Sequence, residues 1–254
     1  VDLHHKVYGS GEIVVILHGL FGMSDNWKSI AQKLSNHYSV VLIDLPNHGR
    51  SPWLERFDLS VVVDRLYEFL TDHWMYEIRL VGHSLGAKIA MKFALRYPDM
   101  VDQLVLVDMG PQAYQHGHED IFKALLSLDV QNISSRSEAN EQLSRLIRDE
   151  GTRLFLLKNL KRTDDGFKWK FDLNTLHRDY SNILTAIETT DQFEHPTLFI
   201  KGGDSNYLDY SKHSALIKEL FPNAELATIE SAGHWIHADQ PEALEEKLRA
   251  FFTS

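Results

Sequence analysis

Cysteine is absent from the chain. Disulfides, a thiol nucleophile and thiolate metal sites are therefore excluded, and the absence fits a reducing compartment. Positive charge is in deficit, with 26 Lys and Arg against 36 Asp and Glu and a formal net charge of -10. Such a surface repels nucleic acid and anionic membranes, so neither is expected as a partner. Long apolar runs are also missing, and none approaches the ~20 residues of a membrane-spanning helix. The opening Val1-Asp2-Leu3-His4-His5 carries no basic-then-apolar signal pattern, and the expected location is cytoplasmic. Internal repeats and low-complexity tracts are lacking as well.

What is present suits one well-filled core: 254 residues, 43% of them hydrophobic and 24% charged. Short apolar runs rich in β-branched residues occur at 13–17, 40–43, 78–82, 104–107, 197–200 and 224–229. Continuous apolar runs of this length suit strands buried on both faces. Helical patterns lie between most of them, at 26–34, 60–73, 86–97 and 211–221. The alternation predicts an α/β fold with a mostly parallel sheet and helices on both faces. Residues 3–8 are expected to add an antiparallel edge strand. From about 112 to 194 no buried strand is evident, and the pattern is helical at 121–128, 137–149 and 173–189. The expected organisation is a core of residues 1–110 and 195–254, with a helical cap at 111–194 over the carboxyl ends of the strands, where ligands of open sheets bind.

Gly82-His83-Ser84-Leu85-Gly86 matches G-x-S-x-G. A buried strand enters the motif, and a helix with Ala87, Ala90 and Ala94 on one face leaves it. That strand–turn–helix setting holds a nucleophilic serine on a sharp turn, at a helix N-terminus that favours developing negative charge. His18-Gly19-Leu20-Phe21-Gly22 follows the strand at 13–17. In α/β-hydrolases this loop supplies one N–H of the oxyanion hole, and the residue after the serine supplies the other. The backbones of Leu20 and Leu85 are the expected donors. His18 is read as a structural brace.

Serine needs an adjacent base to accept its proton. Of 14 histidines, His234 has the required place, in Ser231-Ala232-Gly233-His234-Trp235 after the last strand. His237 is its neighbour and is read as bracing the loop. Asp44-Leu45-Pro46-Asn47-His48-Gly49-Arg50-Ser51 reads as a structural turn fixed by Pro46 and Gly49. The acid that orients the histidine is less plainly marked. Lys201-Gly202-Gly203-Asp204-Ser205 resembles the usual G-x-x-D turn, but Ser205 stands where the aspartate is expected and Asp204 comes one residue early. Asp108, at the end of the strand 104–107, is the favoured acid, with Asp204 as the alternative.

Together these residues resemble the YbfF-type esterases of bacteria, a branch of the α/β-hydrolases. The markers are His18 to Gly22 with Asp25-Asn26, Asn47-His48-Gly49, Gly82-His83-Ser84 with Gly86 and Lys88, and Asp108 with Pro111. Further on come Phe155-Leu156-Leu157-Lys158, Gly202-Gly203 with Ser205, and Gly233-His234-Trp235 with His237-Ala238. The resemblance implies a serine esterase with Ser84, Asp108 and His234 as its triad, acting on short- to medium-chain acyl esters and on acyl-CoA thioesters. Pro46 departs from a position often basic in that group.

Other chemistries share the fold. Ser84 argues against dehalogenases and epoxide hydrolases, which place aspartate there. Carbon–carbon bond hydrolases, lactonases, cofactor-free haloperoxidases and a hydrolase-fold ligand receptor remain as alternatives. No cofactor is expected, and no metal. His116 and His118 form an H-x-H pair beside Glu119 and Asp120, without H-E-x-x-H, and read as a solvated loop. Basic residues crowd the later cap: Arg153, Lys158, Lys161, Arg162, Lys168, Lys170 and Arg178. They read either as a solvated face or as an attractor for an anionic leaving group.

Overall fold

A computed structural model describes residues 2–115 and 117–253. Nine strands and eleven α-helices are defined among them. The first is β1 (His5–Tyr8), followed by β2 (Ile13–Leu17), α1 (Lys28–Leu34), β3 (Ser39–Ile43), α2 (Leu59–Asp72) and β4 (Ile78–His83). Then come α3 (Leu85–Arg96) and β5 (Val101–Val107). After an insertion described below, β8 (Thr197–Gly202), α9 (Tyr210–Leu220), β9 (Ala224–Ile229), α10 (Ile236–Asp239) and α11 (Pro241–Phe252) complete the chain.

The main sheet has seven strands in the order β1-β3-β2-β4-β5-β8-β9. β1 runs antiparallel to β3, as expected of an edge strand, and every other pairing is parallel. Alternation along each central strand feeds two cores. Val15 and Leu17 of β2, Leu80 of β4, and Leu104 and Leu106 of β5 face one side. Val14, Ile16, Val81, Val105 and Val107 face the other, against α1 and α11. Successive strand residues point to opposite faces, so a strand covered on both sides must be apolar throughout. Helix α2 buries Leu59, Val62, Val63, Leu66, Phe69 and Leu70, the i, i+3, i+4, i+7 spacing of one helical face. Asp58 caps it by accepting from the Ser60 N–H at 2.8 Å, an arrangement worth about 1 kcal/mol.

The insertion between β5 and β8 holds α4 (Glu119–Ser127), α5 (Arg136–Ser144), α6 (Glu150–Leu157), α7 (Leu173–Arg178) and α8 (Tyr180–Leu184). The helix expected over 137–149 ends at Ser144, and the insertion differs from the expected all-helical block in two further ways. First, β6 (Leu160–Thr163) and β7 (Gly166–Trp169) form an antiparallel hairpin of their own. Leu160, Phe167 and Trp169 point inward while Lys161, Arg162 and Lys168 face solvent; only β7 shows a period of two, in a run too short to stand out in the sequence. Second, the helix expected over 173–189 breaks at Asp179. Its carboxylate accepts from the Phe57 N–H at 2.7 Å and from Arg178, and the chain after Leu184 is no longer helical. No helix among the described residues is long and apolar enough to cross a membrane.

Candidate active site

Ser84 stands between β4 and α3 with φ 54 and ψ -116, outside the conformations a non-glycine residue prefers. The close packing that imposes this turn also explains its two glycines. A Cβ on Gly82 would lie 2.3 Å from the Gly86 carbonyl oxygen, and one on Gly86 would lie 2.3 Å from that of Leu17. The Ser84 N–H donates to Val107 O at 3.1 Å, tying the turn to β5.

The loop after β9 brings His234 to this serine. Its Nε2 lies 2.9 Å from Ser84 Oγ and its Nδ1 lies 2.7 Å from Asp108 Oδ2. A carboxylate oxygen can only accept, so Nδ1 carries the proton and Nε2 presents its lone pair to the hydroxyl. The Gly233 N–H donates to Asp239 at 2.8 Å, and His83 Nε2 donates to the His234 carbonyl at 2.7 Å. Burial holds the His83 pKa well below the ordinary histidine value, so it stays a neutral donor.

Of the two candidate acids, only Asp108 meets the imidazole. It is fully buried at the end of β5, with φ 50. Its carboxylate accepts from His234, from the Gly202 N–H at 3.1 Å and from the Ser205 hydroxyl. Asp204 is exposed, and its backbone N–H donates to Ala232 O at 2.9 Å. The serine in the place of the usual aspartate thus supports Asp108 from the neighbouring strand. The same Ser205 oxygen accepts from the Tyr207 N–H at 3.2 Å. Tyr207 lies flat on the His234 ring, with centroids 3.8 Å apart and planes 19° apart.

Leu20 and Leu85 are buried and border the same cavity as Ser84. Leu20 lies in a tight turn closed by Gly22 N–H to Gly19 O at 2.9 Å, with Phe21 at φ 59. Positive φ at that position is unfavourable for a bulky residue. The insertion holds it in place, because the Asn159 amide donates to Phe21 O at 2.7 Å. His18 braces the loop from behind. It donates from Nδ1 to Gly19 O and accepts the Leu45 N–H at Nε2, which fixes one tautomer. Burial lowers its pKa as well. His237 is buried and stacked on Trp27, with its pKa pushed down to about 3 by desolvation. The Asp44 turn is a hydrogen-bonded knot in which Asp44 accepts from the Ser24 and Arg50 N–H groups at 2.6 and 2.9 Å.

Two small cavities flank Ser84. Leu85, Met109, Tyr114, Ile183, Leu184 and Tyr207 line one, which is mostly apolar and has a free volume of about 20 Å³. The other, between the loop at 18–22 and α6, is bordered by Asn26, Phe155 and Trp235 and is tighter still. His118 reaches both from the insertion, with Nδ1 2.8 Å from the Tyr180 hydroxyl and its pKa lowered to about 4 by burial. Its supposed partner His116 lies outside the described residues. Lys88 of α3, 1% exposed, donates to the carbonyls of Gln112 and Thr185 and so ties both ends of the insertion to the helix that begins after Ser84. Desolvation lowers its pKa to about 8. Sequence reasoning passed over His83, Asn159 and Tyr207. Their contacts span 151, 138 and 27 positions, and only the His83 position, inside G-x-S-x-G, lay in a recognised motif.

The alpha/beta hydrolase fold family matches residues 12–241. The chain belongs to that family. Its relatives include esterase YbfF of Escherichia coli, 31% identical over 94% of this chain and 92% of that protein. Another is the mouse sn-1-specific diacylglycerol lipase ABHD11, 35% identical over 94% of this chain and 80% of that one. Among solved structures, a marine microorganism esterase superposes with a TM-score of 0.96 at 39% identity, covering 98% of this chain and 99% of that one. This α/β hydrolase therefore shares its whole core and insertion with proteins described as esterases and lipases.

Proposed function

We propose that this carboxylic ester hydrolase cleaves short- to medium-chain acyl esters through an acyl-enzyme on Ser84, with His234 as base and Asp108 as acid. The observation that carries the reading is the unbroken relay from Ser84 Oγ to His234 at 2.9 Å and on to Asp108 at 2.7 Å. His234 Nε2 takes the hydroxyl proton as Oγ attacks the ester carbonyl. The Leu20 and Leu85 N–H groups receive the oxyanion, helped by the N-terminal dipole of α3. The tetrahedral intermediate then expels the alcohol, which leaves with the proton held on His234. Water repeats the sequence on the acyl-enzyme and frees the acid. Asp108 keeps Nδ1 protonated throughout, supported by Gly202 and Ser205.

The apolar cavity beside Ser84 is the acyl side in this reading. At about 20 Å³ it admits one or two small groups as it stands. Longer chains require Ile183 and Leu184 of the insertion to move, and the insertion, residues 111–194, acts as the cap. The other cavity, toward Phe155 and Trp235, lies on the leaving-group side in this reading.

A thioester substrate is favoured by one further feature. Asn26 borders both the site cavity and an open groove of about 830 Å³ that also contains Arg136, Leu154 and Lys158. Lys170 lies alongside, against the Lys158 carbonyl. These cations border the groove and are placed to attract an anionic leaving group such as CoA. The test is a panel of p-nitrophenyl esters and acyl-CoA thioesters run beside Ser84→Ala. Sustained turnover that declines beyond medium acyl length, and vanishes in the variant, is expected. Turnover that persists in the variant overturns the reading. For CoA substrates alone, kcat/KM should fall with added salt, because screening shortens the field to about 8 Å at physiological ionic strength. An equal salt response for neutral esters removes the thioester reading.

A further inference from the structure

We infer that Asp2, His5 and His73 form a divalent-metal site, of the kind that takes zinc, on the outer edge of the sheet and apart from the hydrolytic centre. One ligand atom from each of the three side chains lies within 4.8 Å of the other two. Among the described residues this is the one group of three or more His, Asp or Glu side chains gathered so closely. His5 is on the edge strand β1 and His73 ends α2. Asp2 arrives from the segment before β1. Their separation along the chain hides the group from any motif search, and the sequence reading accordingly expects no metal.

The two rings are also oriented for ligation. His5 Nδ1 lies 3.1 Å from Leu3 O, and His73 Nδ1 lies 2.8 Å from Phe69 O. Carbonyl oxygens only accept, so the neutral form of each ring carries its proton on Nδ1 and leaves Nε2 free to bind a metal. A backbone carbonyl that fixes the tautomer and orientation of a ligating histidine is a regular outer partner in metal sites. The rings meet nearly perpendicular, with centroids 5.0 Å apart and an interplanar angle of 77°. Asp2 Oδ1 is 3.8 Å from His73 Nε2. Two imidazole nitrogens and one carboxylate oxygen form a common zinc donor set, with bonds of about 2.0–2.2 Å. Tetrahedral geometry at that length puts neighbouring donors about 3.4 Å apart. The groups need to close by about an ångström. Asp2, with 81% of its side chain exposed, and His73, with 33%, have room to do so.

Three protein ligands leave a fourth position for water. The bound ion would join the segment before β1, the edge strand and the end of α2. It would thereby fasten an otherwise unpaired sheet edge to a helix of the core.

The experiment uses the tag-free full chain. Zn²⁺ is titrated in competition with a chromogenic chelator, and Co²⁺ binding is followed by its visible absorption. One equivalent should bind the wild type, and His5→Gln or His73→Gln should weaken binding by at least about tenfold. Asp2→Asn, at an exposed position, gives the same answer without risk to the fold. Zn²⁺ should raise the Tm of the wild type and leave the Tm of the His73→Gln variant unchanged. His37→Gln and His177→Gln, at exposed histidines outside the group, should bind as the wild type does. Absence of stoichiometric binding overturns the inference. Binding that survives the His5 and His73 substitutions, or that falls equally in the control variants, places the ion elsewhere and overturns it too. Ester hydrolysis should be the same in all five variants, so the outcome is independent of the proposed reaction.

Discussion

Strand β2 buries four of its five residues, whereas the hairpin β6–β7 buries only Leu160, Phe167 and Trp169. The contrast runs through both regions. The core positions Ser84, His234 and Asp108 by packing that its own sequence enforces, with strands covered on both faces and glycines where backbones touch. The insertion packs through short amphipathic pieces and is held by individual polar contacts. Lys88 holds its two ends, Asn159 grips the loop of Leu20, and Asp172 and Asp179 bond to the loop after β3. On the proposed reading, the chemistry sits in the core and access to it is set by the insertion.

Substitutions in the core test the first half of that contrast and should have the largest effects. Ser84→Ala should lower kcat by about three orders of magnitude or more, as removal of a triad member does in other hydrolases. Asp108→Asn should follow closely, at about a hundredfold or more, because an amide no longer holds the imidazole in the productive tautomer. Asp204→Asn, which changes an exposed carboxylate, should leave steady-state rates close to the wild type. Equal losses in the two variants would reverse the choice of acid.

That choice was only half legible in the sequence. The order of motifs named Ser84 and His234, since a nucleophile between a strand and a helix and a histidine after the last strand leave local patterns. The acid leaves no such pattern. Asp108 becomes the partner because β5 and β8 are neighbours and Ser205 and Gly202 reach its carboxylate from the adjacent chain. The central strands were legible from their short β-branched apolar runs. The hairpin and the break at Asp179 were not, because each depends on contacts with residues far along the chain, such as Phe57.

Effects in the insertion should be smaller and of a different kind. Asn159→Ala leaves the Phe21 carbonyl without its donor and relaxes a residue held at positive φ. A loss of about 1–3 kcal/mol of stability is expected from an unpaired buried carbonyl. A fall in kcat should accompany it as the Leu20 donor loses its position. Steady-state kinetics with a chemical denaturation curve measure both, and unchanged kcat would separate the insertion from the oxyanion loop.

The last effect concerns pH. Burial pushes His48 and His237 down to about 3 and His118 to about 4. Each is neutral when folded, while its unfolded form takes up a proton below about pH 6.5. Their contribution to stability is therefore complete above pH 6.5 and is lost as pH falls toward 4 and 3. The slope is about 1.4 kcal/mol per pH unit for each histidine. His237→Phe keeps the stacking on Trp27 and should make the loss shallower by one such increment, measured as denaturation midpoints from pH 7 to 4.5. An identical slope in the variant would mean that His237 titrates normally.

The account rests on Ser84 carrying the acyl group. A fluorophosphonate probe followed by peptide mass mapping tests this most directly. Labelling at Ser84 in the wild type, slow labelling in His234→Ala and none in Ser84→Ala are the predicted results. A modified peptide from any other serine, or full-rate labelling without His234, would contradict it.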